Sequence, residues 1–348
     1  MRKKVNLNMR GKSIIAACTA IAQTLKILLY GLLILTGILS VGILFWRSYP
    51  LELLCNFRVY YLLLAIGIAI ALMIYSLKGW RVRLGLYLAL ALVAFNSMWI
   101  LPWYLPHTQQ GWGYSMRVMT FNININNQEW DAIADAVRRV KPDVATIMES
   151  SVEAKEALRS RLANQLPFVY RASGGGLTIL SRFPLVLPQS KTFKNGTVLM
   201  TFLRVNHHLV HLIAAHPIVP IKPSLFQRRN GFLAELTGYV QQQLAQDPIA
   251  TELKKSLIFL GDFNLTPWSP YYGRLIRATG LHNTRLGFGI EPSWIEAATH
   301  VHYPGWMTAI MKIPIDHILV SSDMKVADCK TAQAANSDHR ILWSDLVF

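Results

Sequence analysis

The stretch Leu260-Gly261-Asp262-Phe263-Asn264-Leu265-Thr266-Pro267 carries the residue types most able to do chemistry in this chain. Ser256-Leu257-Ile258-Phe259 precedes it and reads as a buried strand that delivers a glycine, an acid and an amide into a loop. Side chains alternate along a strand, so Asp262 and Asn264, two residues apart at its end, point the same way. A carboxylate there can orient a water or bind a metal, and a carboxamide can donate to a phosphate oxygen. Ser337-Asp338-His339, near the C-terminus, adds the imidazole such a site requires. Together these residues outline metal-assisted phosphoester chemistry.

The elements that must position them are legible along residues 116–348. Met116–Ile125 alternates as a strand and runs into the Asn122–Asn127 cluster. Trp130–Val140 has helical spacing, with Ile133, Val137 and Val140 on one face, and Lys141-Pro142-Asp143 ends it. Val144–Met148 is a buried strand with Glu149 at its C-terminal end, and Val152–Leu166 is an amphipathic helix. Gly174-Gly175-Gly176 turns into the strand Leu177–Leu180. Val198–Val205 and Leu209–Ala215 form a hairpin that ends at His216-Pro217, and Gln227–Leu244 is a helix. Ile315–Val320 and Arg340–Leu346 are late strands. Strands and helices mix without strict alternation, which predicts an α/β fold of two sheets with helices outside.

The remaining third is different. The chain has 348 residues, 52% of them hydrophobic, and a net charge of +16. Residues 1–105 carry 11 Lys and Arg against 1 acid, whereas residues 106–348 carry 24 against 18. Most of the basicity therefore sits beside apolar runs and reads as a membrane-topology signal rather than a nucleic-acid patch. Ile27–Phe45, Val59–Leu77 and Leu84–Leu101 are each close to the roughly 20 residues needed to cross a bilayer. The first helix has a soft start, because Ile14–Leu25 is also apolar and Lys26 can face a neighbour or snorkel. Residues 1–105 thus read as a membrane domain, 106–115 as a linker and 116–348 as a catalytic domain. Arg2, Lys3, Lys4, Arg10 and Lys12 precede the first span, and Lys78, Arg81 and Arg83 lie in the second loop. The positive-inside rule then predicts a multi-pass protein of the inner or plasma membrane, with a cytoplasmic N-terminus and everything after Leu101 outside the cytoplasm. Trp99, Trp103, Tyr104 and Trp112 fit an aromatic belt at that exit. Cys18, Cys55 and Cys329 have no metal-site or disulfide spacing. His207, His208 and His211 read as surface residues, since nothing pairs them with acids.

Seven pieces now fall into one order: Thr120-Phe121-Asn122, Pro142-Asp143-Val144 with Glu149, Leu180-Ser181-Arg182, His216-Pro217, Gly261-Asp262-Phe263-Asn264, Ile315-Asp316-His317-Ile318 and Ser337-Asp338-His339. In that order the chain resembles the endonuclease/exonuclease/phosphatase superfamily. The resemblance implies a deoxyribonuclease-like, four-layer α/β sandwich of two sheets, here preceded by three transmembrane helices. It also implies a hydrolase of phosphate ester bonds that depends on Mg²⁺ or Mn²⁺, hard cations that take oxygen ligands. Glu149 is the leading metal ligand, Asn122 places an amide oxygen beside the metal, and Asp338 is a further ligand. Asp262 would activate the attacking water, and Asn264 would hold that water or a phosphate oxygen. His339 would meet the phosphate and stabilise its charge or move a proton, with Asp316 fixing its tautomer. His216 would clamp the phosphate or protonate the leaving group. One departure is Asn124, which stands where the abasic-site nucleases of the superfamily carry an acid. The long basic or intercalating loops of its nucleases have no clear match either.

The layout of three helices followed by this domain resembles a membrane-anchored branch associated with glycopeptide-antibiotic resistance. That resemblance implies dephosphorylation of a lipid carrier such as undecaprenyl pyrophosphate. The partners expected are the bilayer and a phosphorylated substrate, with a lipid phosphate favoured over nucleic acid. Trp294–Ile313, rich in aromatic and apolar residues, could dip into lipid. A membrane-tethered nuclease and a non-catalytic phospho-ligand or protein-binding domain are the alternatives. The intact set of acids and histidines speaks against the latter.

Overall fold

The computed structural model describes residues 2–45, 47–106, 113–245, 254–333 and 335–348, without the side chains of residues 2–13 and 254. Trp112, expected in the aromatic belt, lies outside the described residues. The chain divides into two compact units: Met1–Arg47 with Phe57–Ile100, and Ser48–Asn56 with Leu101–Phe348.

The first unit is helical, with α1 (Arg2–Gly42), α2 (Arg58–Leu77) and α3 (Arg83–Ile100). Three stretches, Ile14–Gly42, Leu51–Leu77 and Arg83–Trp103, are long and apolar enough to cross a membrane. α2 and α3 start one residue before the expected spans. α1 runs unbroken through Lys26, whose Nζ stands 5.9 Å from the centre of the Trp80 ring. Leu33, Ile68, Leu72, Val82 and Ala89 pack between the helices. Asn96 Nδ2 donates to Ser40 Oγ at 3.0 Å, a polar tie of the kind that joins helices where water is scarce.

The second unit contains β1 (Ser115–Asn122), α4 (Trp130–Val140), β2 (Val144–Met148), α5 (Val152–Leu162), β3 (Phe168–Arg171), β4 (Thr178–Ser181), β5 (Leu185–Thr192), β6 (Thr197–Val205) and β7 (His208–Ala215). It continues with α6 (Pro223–Ala245), β8 (Lys254–Asp262), α7 (Pro270–Thr279), β9 (His282–Asn283), α8 (Gly305–Ile310), β10 (Asp316–Val320), β11 (Lys325–Ala332) and β12 (Ile341–Val347). One six-stranded sheet has the order β11-β12-β1-β2-β4-β3 and the other β5-β6-β7-β8-β10-β9. Val118, Val144, Leu342 and Ile179 of the first sheet meet Leu212, Ile258, Leu260 and Ile318 of the second in one core. α4 and α5 cover the outer face of the first sheet through Ile133, Val137, Leu158 and Leu162. α6 and α7 cover the second through Phe232, Leu236, Val240 and Leu275. The result is the expected four-layer sandwich.

The local boundaries have physical causes. α5 stops at Leu162 rather than Leu166, and the chain turns over residues 163–165 before Pro167, which disfavours a helical Leu166. α6 begins at Pro223 rather than Gln227, since proline is pre-set for the first turn. His211 is not a surface residue. It lies on the helix-covered face of β7 with Ile213, is 1% exposed and stacks on its cross-strand partner Phe202 with 4.3 Å between ring centres. Burial pushes its pKa down to about 4, so it sits there as a neutral aromatic ring.

Candidate active site

Strand parity brings the chemistry together. Met116 and Val118 on β1 face the inter-sheet core, so Asn122, four residues on, faces the same way. The same count carries Leu212 and Ala214 to His216, Ile258 and Leu260 to Asp262, and Ile318 back to Asp316. Asp262 and Asp316 are direct partners in the antiparallel β8–β10 ladder. Parity would turn Glu149 outward with Ile147. Instead its backbone is left-handed, with φ 55°, and the carboxylate leaves the strand direction. Gly176 makes room for this turn: a Cβ on it would stand 3.3 Å from Glu149 Cα, and its carbonyl accepts from the Ser150 N–H at 2.9 Å. Gly261 is required for a similar reason. Its φ is 142°, and a Cβ would collide with the Ala215 carbonyl on β7.

Asp262 Oδ2 is the hub. It accepts from Asn122 Nδ2 at 3.3 Å and lies 3.4 Å from His216 Nε2 and 3.6 Å from His339 Nε2. Its Oδ1 accepts the Asn264 N–H at 2.9 Å. Asn264, left-handed with φ 53°, donates Nδ2 to the Pro217 carbonyl at 2.9 Å and lies 3.5 Å from His216 Nε2. Glu149 Oε1 accepts the other Asn122 Nδ2 proton at 2.9 Å, and Oε2 accepts the Ile125 N–H at 2.9 Å. His339 Nδ1 is held by Asp316 Oδ2 at 3.0 Å. Ser293 Oγ accepts the Asp316 N–H at 3.1 Å. Of the eight expected site residues, Asn122, Glu149, His216, Asp262, Asn264, Asp316 and His339 are thus joined through one network.

Asp338 is placed differently. Its Oδ1 accepts from Asn124 Nδ2 at 2.9 Å, and its Oδ2 accepts from Trp294 Nε1 at 3.2 Å and Tyr303 OH at 3.1 Å. Trp294 and Tyr303 therefore belong to the wall of the site, whereas Trp306 and Ile310 on α8 are exposed. Sequence reasoning missed these two donors, and it missed Ser337, whose hydroxyl donates to the Asn122 carbonyl at 2.7 Å. Adjacency to Asp338 and His339 was the available signal for Ser337. Trp294 and Tyr303 were read only as part of the apolar Trp294–Ile313 loop, a pattern that gives no sign of their bonds to Asp338.

The electrostatics favour a charged imidazole. Burial opposes charge on His339, but Asp316 and Asp262 outweigh it and lift its pKa to about 10. Burial likewise opposes charge on His216, and the hydrogen bond and charge of Asp262 raise it. Burial would raise the Asp316 carboxyl, yet His339, Ser293 and Arg285 hold it below the usual range. Among the described residues, every ion pair to Glu149, Asp262 or Asp316 is made by a histidine. Asp316 Oδ1 is buried without a hydrogen-bond partner, and Asp262, Asp316 and His339 present ligand atoms within 4.8 Å of one another. Two carboxylates and an imidazole this close, with Glu149 nearby and no Lys or Arg ion pair to these acids among the described residues, fit a divalent cation.

Fold and site together define a hydrolase acting on phosphate esters. The chain belongs to the Endonuclease/Exonuclease/phosphatase family, whose model matches residues 119–339. Members of that family generally depend on divalent metals. No curated protein sequence matches the chain. Among solved structures it is similar to an endonuclease/exonuclease/phosphatase from Beutenbergia cavernae, with 18% identity over 67% of this chain and 72% of that one and a TM-score of 0.53. It is also similar to a humanized D. rerio TDP2, at 14% identity over 67% and 99% with a TM-score of 0.52. A truncated Caenorhabditis elegans TDP2 matches at 16% identity over 68% and 98% with a TM-score of 0.51. At such identities the likeness shows the fold.

Proposed function

We propose that this chain is a membrane-anchored, divalent-cation-dependent phosphoesterase whose catalytic domain faces away from the cytoplasm. Its proposed substrate is the phosphate ester or pyrophosphate of a lipid carrier such as undecaprenyl pyrophosphate. The observation that carries this reading is the union, in one chain, of three bilayer-length helices with an intact phosphoesterase network. A tethered site meets lipid head groups at high effective concentration. The exposed apolar side chains Val219 and Ile221, just past His216, and Trp306 and Ile310 on α8 support a lipidic substrate. The basic residues before the first span and in the second loop support the cytoplasmic placement of both.

In the proposed mechanism, Glu149 would hold Mg²⁺ or Mn²⁺ with Asn122 beside it, and the ion would supply positive charge that neutralises the phosphate. Asp338, whose oxygens are engaged by Asn124, Trp294 and Tyr303, holds the wall of the site in place. Asp262 takes the proton of the attacking water, and Asn264 aligns that water. The Asp316-backed His339 imidazolium faces the charge that grows on the phosphorus oxygens. His216, with its raised pKa, donates a proton to the leaving oxygen.

The test is full-length protein in detergent with Mg²⁺. Phosphate release from undecaprenyl pyrophosphate is followed beside nicking of supercoiled DNA, with Asp262→Ala and His339→Ala as controls. Phosphate release that both substitutions abolish, without nicking, is the expected result. Nicking alone would replace this reading with a tethered nuclease.

A further inference from the structure

Ser48–Asn56, the segment that joins α1 to α2, belongs to the catalytic unit. Glu52 is 1% exposed there. Its Oε2 accepts from Arg229 Nη2 at 2.9 Å, and its Oε1 accepts the Ser269 hydroxyl. Arg229, on α6, is itself completely buried. Its Nη1 donates to the main-chain carbonyl of Asn264 at 2.9 Å, and its Nε donates to Asn230 Oδ1 at 2.9 Å. A second contact runs alongside: Thr266 Oγ1 donates to Asn56 Oδ1 at 3.0 Å. In a third, Tyr49 OH donates to the Ile221 carbonyl at 2.9 Å.

Of these contacts, the one through Arg229 reaches Asn264 directly. Asn264 is held in the left-handed region, which for a residue with a side chain persists only where the surroundings over-determine it. Its N–H already serves Asp262, and its amide serves Pro217 beside His216. The carbonyl is the remaining handle, and Arg229 grips it. The planar guanidinium fork can serve Asn264 and Glu52 at once, which an ammonium would do with less fixed geometry. A cation buried this deeply needs a partner, and Glu52 is that partner.

We infer that Glu52 and Arg229 are positioning residues for Asn264, and that the connection between the first two membrane helices is a working part of the active site. This inference rests on the hydrolytic reading of that site for its kinetic consequence, though not for its structural one. Without Glu52, Arg229 loses its fixed orientation, Asn264 relaxes, and the geometry between Asp262 and the amide is lost.

The experiment uses the full chain in detergent and compares wild type with Glu52→Gln and with the milder Asn56→Ala. Hydrogen exchange is followed in the peptide that covers residues 263–269. Exchange there should quicken about tenfold, with β8 and β10 unchanged. Unchanged exchange in both variants would overturn the inference. Turnover of bis-p-nitrophenyl phosphate with Mg²⁺ is measured in the same preparations. Glu52→Gln should lower kcat about ten- to a hundredfold with KM nearly constant. In an Asn264→Ala background it should lower kcat no further. A full additional loss in that background would reduce Glu52 to general scaffolding and likewise overturn the inference. Silence of every preparation, wild type included, would count against the hydrolytic reading and leave the exchange result to decide this one.

Discussion

Asp262 has four polar neighbours, and its value to the site is geometric. Asp262→Asn keeps the shape but removes the base. The expected loss in kcat is about 10²–10⁴-fold with the fold intact, read from steady-state turnover beside a thermal melt. His339 owes its charge to Asp316. Replacement by Asp316→Asn leaves burial and removes the main charge that opposes it, so the imidazole pKa falls. The basic limb of the pH–rate profile should move down by about 1–3 units, while a profile that keeps its basic limb would show that His339 does not act as the charged form. The identities of these residues were readable from their order along the chain. The role of Asn122 was only partly so. Its Oδ1 accepts the Asn124 N–H at 3.0 Å, which turns the amide nitrogen toward both Glu149 and Asp262. That orientation depends on neighbours no spacing discloses.

At the scale of elements, period-two alternation did most of the work. It delivers Asn122, His216, Asp262 and Asp316 to one seam between the sheets and made β1 legible, whereas short apolar runs made β2 and β8 legible. Edge strands β3, β5 and β11 were not legible, because their half-exposed patterns resemble loops. α7 was overlooked although Ser269 caps it and Pro270 opens it, since the motif just before it drew the eye to a loop. Glycine provides the sharpest test here. Gly261→Ala must put a Cβ into the Ala215 carbonyl at a φ that side chains rarely adopt. The cost should be about 2–4 kcal/mol or more, seen as a lowered urea midpoint together with loss of activity; a midpoint within error of wild type would refute the tight approach of β7 and β8.

Across the whole molecule, acid should loosen the catalytic unit for a reason separate from catalysis. His211 and His317 are buried as neutral rings, and burial holds each pKa down at about 4. The unfolded chain binds protons at these rings below about pH 6.5, where the fold refuses them. Their contribution is therefore complete above pH 6.5 and is lost progressively as pH falls toward 4, by up to about 3 kcal/mol for each ring. His211→Phe, which keeps the stack on Phe202, should flatten the melting temperature over that range relative to wild type.

The discontinuity of the catalytic unit has a further consequence, for modularity. A chain of residues 101–348 keeps the Trp103 carbonyl that accepts from Gly287 and Gly289, but it lacks Glu52. It should be less stable than the intact protein by about 3–5 kcal/mol, because a buried guanidinium is left without its counter-charge, and Arg229→Met should recover much of the loss. The two units are interleaved along the chain, since Ser48–Asn56 lies between α1 and α2 yet belongs to the catalytic unit. A fusion that joins residues 101–348 to other helices would leave Glu52 behind. The unit such a fusion has to carry is Ser48–Asn56 together with Leu101–Phe348.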